Sequence, residues 1–262
     1  MDTDVLFEDA KTANRAVGCL RSRGLLQKLR FLISPEKPEG LEAKGFMLLF
    51  PYVLRCDSEE KLLKLLERER PERVLIRNFE ELGFLKDTGY KGEIHADSCL
   101  YSFNKESIRV YKELGVREFV CPEELNIYEL KERGLNDSVL KIYGRTPLMV
   151  SAQCTNKTVS GKCERKAGGF LTEIRDRKKA VFPVRAECGY CYNVIYNSVP
   201  LMLFKETEEL RVSGLSAVRL DFTVEAAEEA ADIIEYFIMG RQENLNKLIR
   251  DYTKGHFRKG VE

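Results

Sequence analysis

Four cysteines in the second half of the chain, Cys154, Cys163, Cys188 and Cys191, have the types and spacing that could do chemistry. A polar, turn-forming stretch ending in Ser160-Gly-Lys separates the first two, and the second two frame Gly189 and Tyr190. Thiolates are soft ligands, and four of them suit a zinc ion or an iron–sulfur cluster. Cys19, Cys56, Cys99 and Cys121 lie far apart, the last three among apolar or strand-like neighbours. Three other readings compete with a bound centre. A thioredoxin-like redox pair needs a helix starting at Cys-Gly-Tyr-Cys, whereas the following Tyr192-Asn-Val-Ile-Tyr196 is β-prone. Buried structural thiols would sit among apolar residues, not in Gly-rich polar sequence. Disulfides suit exported proteins, and the acidic N-terminus MDTDVLFEDAK lacks the apolar stretch of a signal peptide. The sequence therefore favours an inorganic centre in a cytoplasmic protein.

Zinc and iron–sulfur remain open at this level. A zinc ribbon repeats tight C-x-x-C knuckles, and only Cys188–Cys191 has that spacing; the wider Cys154–Cys163 loop leans towards a larger cluster. The two histidines, His95 and His256, form no H-E-x-x-H pattern, and neither a G-x-S-x-G elbow nor a Walker-type loop is present.

Composition narrows the partners. The 262 residues carry a formal net charge of +1, with 44% hydrophobic and 32% charged residues. That balance gives no global pull towards nucleic acid or a membrane surface. No apolar run approaches the roughly 20 residues that span a bilayer. Around the cysteines the sequence is locally basic, with Lys157, Lys162, Arg165, Lys166, Arg175, Arg177, Lys178 and Lys179. Such a patch suits phosphate contacts or is simply a solvated loop.

The elements that must position these residues follow from periodicity. From about residue 46, strands are predicted at 46–54, 73–76, 93–96, 117–120, 139–143, 199–204 and 217–221. Helices alternate with them at 59–70, 80–86, 105–114, from Pro122 to near Gly134, from 204 to about 212, and at 224–239. Asp57 and Glu60 have capping-box spacing, and Asn104 is the expected cap of the helix after it. Repeated strand–helix units imply a mostly parallel sheet. Counting 29–33, up to eight strands fit a TIM-like β/α barrel, complete or incomplete, with an open doubly wound sheet as the other architecture. Residues 1–45 read as a helical and strand lead-in and 46–262 as the barrel, with a Cys-rich insertion at about 151–193 after a late strand. In a barrel, chemistry sits at the C-terminal strand ends. Those ends carry Arg77-Asn78, His95-Ala96-Asp97, Cys121-Pro122-Glu123, Tyr143-Gly144-Arg145 and Arg219-Leu220-Asp221. The candidate pocket set is His95, Asp97, Arg145 and Asp221; helix capping is the competing role for such residues.

The run Ile142-Tyr-Gly-Arg-Thr-Pro-Leu-Met149 leading to Cys154, followed by Ser160-Gly-Lys-Cys163, resembles the collagenase-like peptidase family U32. The likeness continues through Asp176-Arg177, Phe182-Pro183, Cys188, Asn197-Ser198 and Arg219-Leu-Asp-Phe-Thr-Val-Glu225. Upstream, Leu100-Tyr-Ser-Phe-Asn104 and Pro122-Glu-Glu-Leu125 also match, so the resemblance covers about residues 74–237. It is closest to the C-terminal portion of the longer members. The resemblance implies a barrel-like catalytic domain and a 4Fe–4S cluster on Cys154, Cys163, Cys188 and Cys191. It further implies oxygen-independent hydroxylation of RNA or a small molecule such as the ubiquinone ring, with prephenate as hydroxyl source. In that expectation Arg145 grips a carboxylate bidentately and Asp97 or His95 transfers a proton. The family name implies a collagenase-like peptidase instead, but four thiolates on one zinc leave no open coordination position for it. A third expectation is a non-catalytic, metal-stapled module that binds RNA or a partner. The sequence departs from the family pattern in a longer loop between its first two cysteines and in Ile142-Tyr143 where a Glu-x-Phe is expected. The chain is also shorter than the long members, as expected of a fragment or of a module working with a partner subunit or a missing N-terminal module.

Overall fold

The computed structural model describes residues 2–35, 45–163, 169–206 and 214–261. The helix expected up to about residue 212 falls largely outside them, as do Arg165 and Lys166.

Seven parallel strands arise in turn: β1 (Asp2–Phe7), β2 (Leu29–Ile33), β3 (Met47–Leu49), β4 (Arg73–Ile76), β5 (Glu93–Ala96), β6 (Val116–Val120) and β7 (Ser138–Gly144). Then come β8 (Pro147–Ser151), β9 (Phe170–Arg175), β10 (Val181–Glu187), β11 (Tyr192–Tyr196), β12 (Leu201–Met202) and β13 (Ala217–Phe222). The hydrogen-bonded order β7-β13-β1-β2-β3-β4-β5-β6, with β6 returning to β7, closes an eight-stranded barrel. Every pairing around that ring is parallel. Residues 1–45, read as a lead-in, supply β1 and β2, two of the eight staves. Asp4 hid β1 in the sequence: its carboxylate points inward, where Arg30 holds it at 2.5 and 3.1 Å.

Helices α1 (Ala10–Ser22), α2 (Cys56–Glu69), α3 (Phe79–Asp87), α4 (Lys105–Glu113) and α5 (Ile127–Arg133) follow the first strands; a short α6 (Thr155–Ser160) lies in the insertion, and α7 (Ala227–Ile238) and α8 (Gln242–Leu248) follow β13. The alternation of strand residues sorts two cores. Val5, Phe7, Ile33, Leu48, Val74 and Leu220 face outward to the helices, while Leu6, Leu32, Met47, Leu49, Leu75, Val120, Val139 and Ala217 pack inside the barrel. Capping boxes at Asn78, Asn104 and Asn126 turn the chain from strand end into helix. The third corrects the expectation for Pro122: the helix starts only at Ile127. Likewise α2 begins at Cys56 behind Arg55, one turn before the expected start.

The insertion is larger than expected. It runs from β8 to β11 and folds as a four-stranded antiparallel sheet in the order β8-β11-β10-β9. The chain returns through β12, which pairs antiparallel with the top of β7 at Leu201↔Gly144 and Met202↔Tyr143. β6 pairs only with the base of β7, at Phe119↔Ser138 and Val120↔Val139. The barrel wall therefore splits between β6 and β12. Gly144, at φ 127°, lets β7 pass β13; a Cβ there would lie 2.6 Å from the Asp221 carbonyl oxygen.

Candidate metal centre and barrel mouth

The four late cysteines come from three separate pieces of chain. Cys188 and Cys191 bracket the turn of the β10–β11 hairpin, closed by Tyr190 N–H donating to the Glu187 carbonyl at 3.2 Å. Cys191 adopts a left-handed φ of 57°. Cys154 caps α6, its Sγ accepting from the Lys157 amide at 3.5 Å. The helix then ends at Gly161, φ 72°, and delivers Cys163 two residues later. All four cysteines line one cavity of about 140 Å³, together with Ala186, Glu187, Gly189, Tyr192 and Asn193. That is several times the ~30 Å³ share of a water molecule. Among the described residues no group of three or more His, Cys, Asp or Glu side chains is placed to hold a metal ion; the shared cavity is what groups the four cysteines. Asn193 braces the rim: its amide donates to the Gln153 carbonyl at 2.7 Å and approaches that of Ser151 at 3.4 Å. Its own Oδ1 is buried with no partner among the described residues. A soft, four-thiol donor set around such a space fits an iron–sulfur cluster.

This sheet sits on the C-terminal mouth of the barrel. The Tyr52 amide, just past β3, donates to the Tyr192 hydroxyl at 3.2 Å, and the two rings meet edge-on at 6.3 Å. The Tyr196 hydroxyl donates to Glu8 Oε1 at 3.2 Å, past the end of β1. Arg185 donates to the Thr223 carbonyl at 2.8 Å, and its Nε lies 4.0 Å from Glu8 Oε2. Burial raises the Tyr192 and Tyr196 phenols well above their ordinary range, so both stay protonated.

Beneath the tyrosines lies a buried ionic chain. The Arg77 guanidinium stacks 3.8 Å over the Tyr52 ring and donates to Asp97 Oδ2 at 3.0 Å. Arg219 donates to Asp97 Oδ1 at 2.9 Å and to Asp221 Oδ2 at 3.0 Å. Four charges with side chains at most 8% exposed thus join β4, β5 and β13. The two carboxylates are driven apart. Burial alone would raise Asp97, but Arg219, Arg77 and the Ser98 amide outweigh it and hold it well below the usual range. For Asp221, burial prevails over Arg219 and Lys141 and pushes the carboxyl up. In such a pair Asp97 is the firmer anion and Asp221 the more readily protonated of the two carboxyls.

Of the expected pocket set, the barrel brings Asp97 and Asp221 together through Arg219. His95 faces the other end of the barrel. Its Nδ1 is 3.0 Å from Glu118 Oε2 and its Nε2 3.3 Å from Glu93, beside the Arg30–Asp4 pair. The reason is rise along the chain: residue 95, on β5, lies one inward layer below residue 97, just past the strand's end. Arg145 is at the rim, where it donates to the backbone carbonyls of Asn197 (2.9 Å) and Ser198, pinning the root of the insertion. Sequence reasoning missed Tyr52, Tyr192, Arg185 and Glu8; the aromatic run 190–196 was the available signal. Arg77 and Arg219 stood at the noted strand ends, but only the barrel reveals their shared anion.

Fold and site define a closed β/α barrel whose mouth is capped by a sheet bearing a four-thiol cavity. The model of peptidase family U32 matches residues 47–256, and the chain belongs to that family. The matched span contains the cysteines and the Arg77–Asp221 network and omits β1 and β2. Searches of curated proteins and of solved structures returned no match.

Proposed function

We propose that the chain is an iron–sulfur-dependent enzyme, or the subunit of one, that hydroxylates RNA or a small molecule without oxygen. The single observation carrying this reading is the cavity that Cys154, Cys163, Cys188 and Cys191 line against the barrel mouth. These thiolates would hold a 4Fe–4S cluster, which supplies one-electron and Lewis-acid chemistry when bound. Tyr192 lines the same cavity and ties it to Tyr52, keeping the centre in register with the mouth. Arg77 and Arg219 keep Asp97 ionised, and Asp221 holds or releases a proton at its carboxyl oxygen. At 3% and 5% exposure Asp97 and Asp221 set the charge of the mouth's floor from beneath its surface. A prephenate-like carboxylate would be the hydroxyl source. Arg145, already bound to two carbonyls, serves better as a fastener of the insertion than as the grip for that carboxylate. Lys157 and Lys162 beside the cysteines, and Arg177, Lys178 and Lys179 in the β9–β10 turn, are exposed cations available to RNA phosphates. No helix among the described residues is long and apolar enough to cross a membrane, and a thiolate-held centre suits the reducing cytoplasm.

The peptidase reading has less to build on. His95 is engaged by Glu118 and Glu93, and His256 Nδ1 lies 2.9 Å from the Gly260 carbonyl. Neither contacts a hydroxyl or thiol nucleophile among the described residues. The test is anaerobic incubation of the reconstituted protein with RNA and prephenate, followed by nucleoside mass spectrometry. One added oxygen atom on a nucleoside supports the proposal. Unmodified RNA together with cleavage of denatured collagen would replace it with the peptidase.

A further inference from the structure

The split in the barrel wall between β6 and β12 opens a cavity of about 270 Å³, away from the cysteines. It is close to the small end of the ~300–1,000 Å³ range of small-molecule sites. Its walls are apolar, with Leu125, Leu130, Leu140, Leu203 and Phe257 among the lining residues, and Leu148 stands at the root of the insertion. Its polar end is built from Lys141, Glu123, Thr146 and Asn197. The Lys141 side chain is only 2% exposed and donates to Glu123 Oε1. Thr146 donates to Glu123 Oε2 at 2.7 Å, which occupies both oxygens of that carboxylate.

Lys141 and Asn197 bring donors with capacity to spare to this end. An ammonium has three N–H donors, and Glu123 is the acceptor described for Lys141. The Asn197 side-chain amide donates to no acceptor among the described residues, while its Oδ1 faces Ser198 Oγ at 3.5 Å. Lys254, paired with Glu206 at 2.7 Å, adds a second cation to the lining. An ammonium and an amide with donors to spare beside an apolar body call for a strong acceptor carried on hydrocarbon, and a carboxylate meets both donors at once. We propose that this cleft binds a small apolar monocarboxylate, its carboxylate at Lys141 and Asn197 and its hydrocarbon part against Leu130, Leu140, Leu203 and Phe257. The site is separate from the cysteine cavity and does not rest on a cluster being bound.

Isothermal titration calorimetry of the full chain with phenylacetate, 4-methylpentanoate and phenylacetamide tests it. At least one acid is expected to bind tenfold or more tightly than the neutral amide. Leu148→Trp, at a 53% exposed position that lines the cleft, is expected to block binding while leaving the melting curve in place. The paired variant Lys141→Met with Glu123→Gln removes both charges together and is expected to bring acid and amide to equal affinity. Absence of binding by both acids, equal affinity of acid and amide for the unaltered chain, or binding undisturbed by Leu148→Trp would each overturn the proposal. Should the paired variant fail to fold, the first two comparisons still decide.

Discussion

Tyr192 and Tyr52 join the insertion to the barrel: the backbone N–H of Tyr52 ends on the Tyr192 hydroxyl at 3.2 Å, and Tyr192 lines the cysteine cavity. Tyr52 in turn carries Arg77 on its ring face. A line of contacts therefore runs from the rim of the cysteine cavity to Asp97, Arg219 and Asp221. Tyr192→Phe removes the acceptor and strands a buried amide, a loss of about 1–3 kcal/mol. Amide hydrogen exchange at Tyr52 is expected to quicken accordingly. Unchanged exchange would show that the insertion is held by other contacts.

Asp97 is the shared anion of two buried guanidinium groups. Breaking a buried ion pair from one side costs about 3–5 kcal/mol, because the remaining charge is left uncompensated. Asp97→Asn is therefore expected to lower unfolding stability in urea by that order, and a change under 1 kcal/mol would contradict the network. Arg219→Met leaves Asp221 without its guanidinium partner, while Arg77 still neutralises Asp97, and is expected to cost a comparable amount.

Glu81 supplies a pH signature away from the site. Its Oε2 accepts from the Arg77 amide at 2.6 Å and the Asn78 amide at 3.3 Å, yet it is fully buried and Oε1 has no partner among the described residues. Burial outweighs these bonds and pushes the carboxyl up to about 8, from an ordinary 4.5. Between those values the folded chain binds the extra proton. Stability from this group is thus complete below the ordinary value and declines as pH rises through the raised one. Glu81→Gln keeps an acceptor and loses the titration. Relative to it, the unaltered chain should lose a few kcal/mol between pH 5 and 8; a difference constant with pH would sink the assignment.

The barrel was legible because its staves alternate with helices that carry their own punctuation. Strands 73–76 and 93–96 fall where periodicity put them, and Asn104 caps α4 as expected. β1 was not legible, since Asp2, Thr3 and Asp4 read as polar terminus until Arg30 supplies the partner that permits burial. Nor was the shape of the insertion: its strands pair over long, Gly-rich and charged connections with little apolar alternation. The grouping of the four cysteines could be read from spacing and donor chemistry. Their tie to the mouth could not, because Tyr52 and Tyr192 are 140 residues apart. His95 went to the opposite end of the barrel because two residues along a strand keep the same inward face but change the layer.

Each of Cys154, Cys163, Cys188 and Cys191 is expected to be needed for the centre, while Cys19, on α1 and away from the cavity, is not. Serine at any of the first four should lower bound iron several-fold without unfolding the barrel, judged by circular dichroism. Serine at Cys19 should leave iron unchanged. Equal iron loss at all five positions would point to unspecific binding.

The most direct measurement is iron, acid-labile sulfide and zinc content of protein purified without exposure to oxygen. A brown protein with about four irons and about four sulfides per chain is the expected result. A colourless protein carrying one zinc per chain and no sulfide would contradict it.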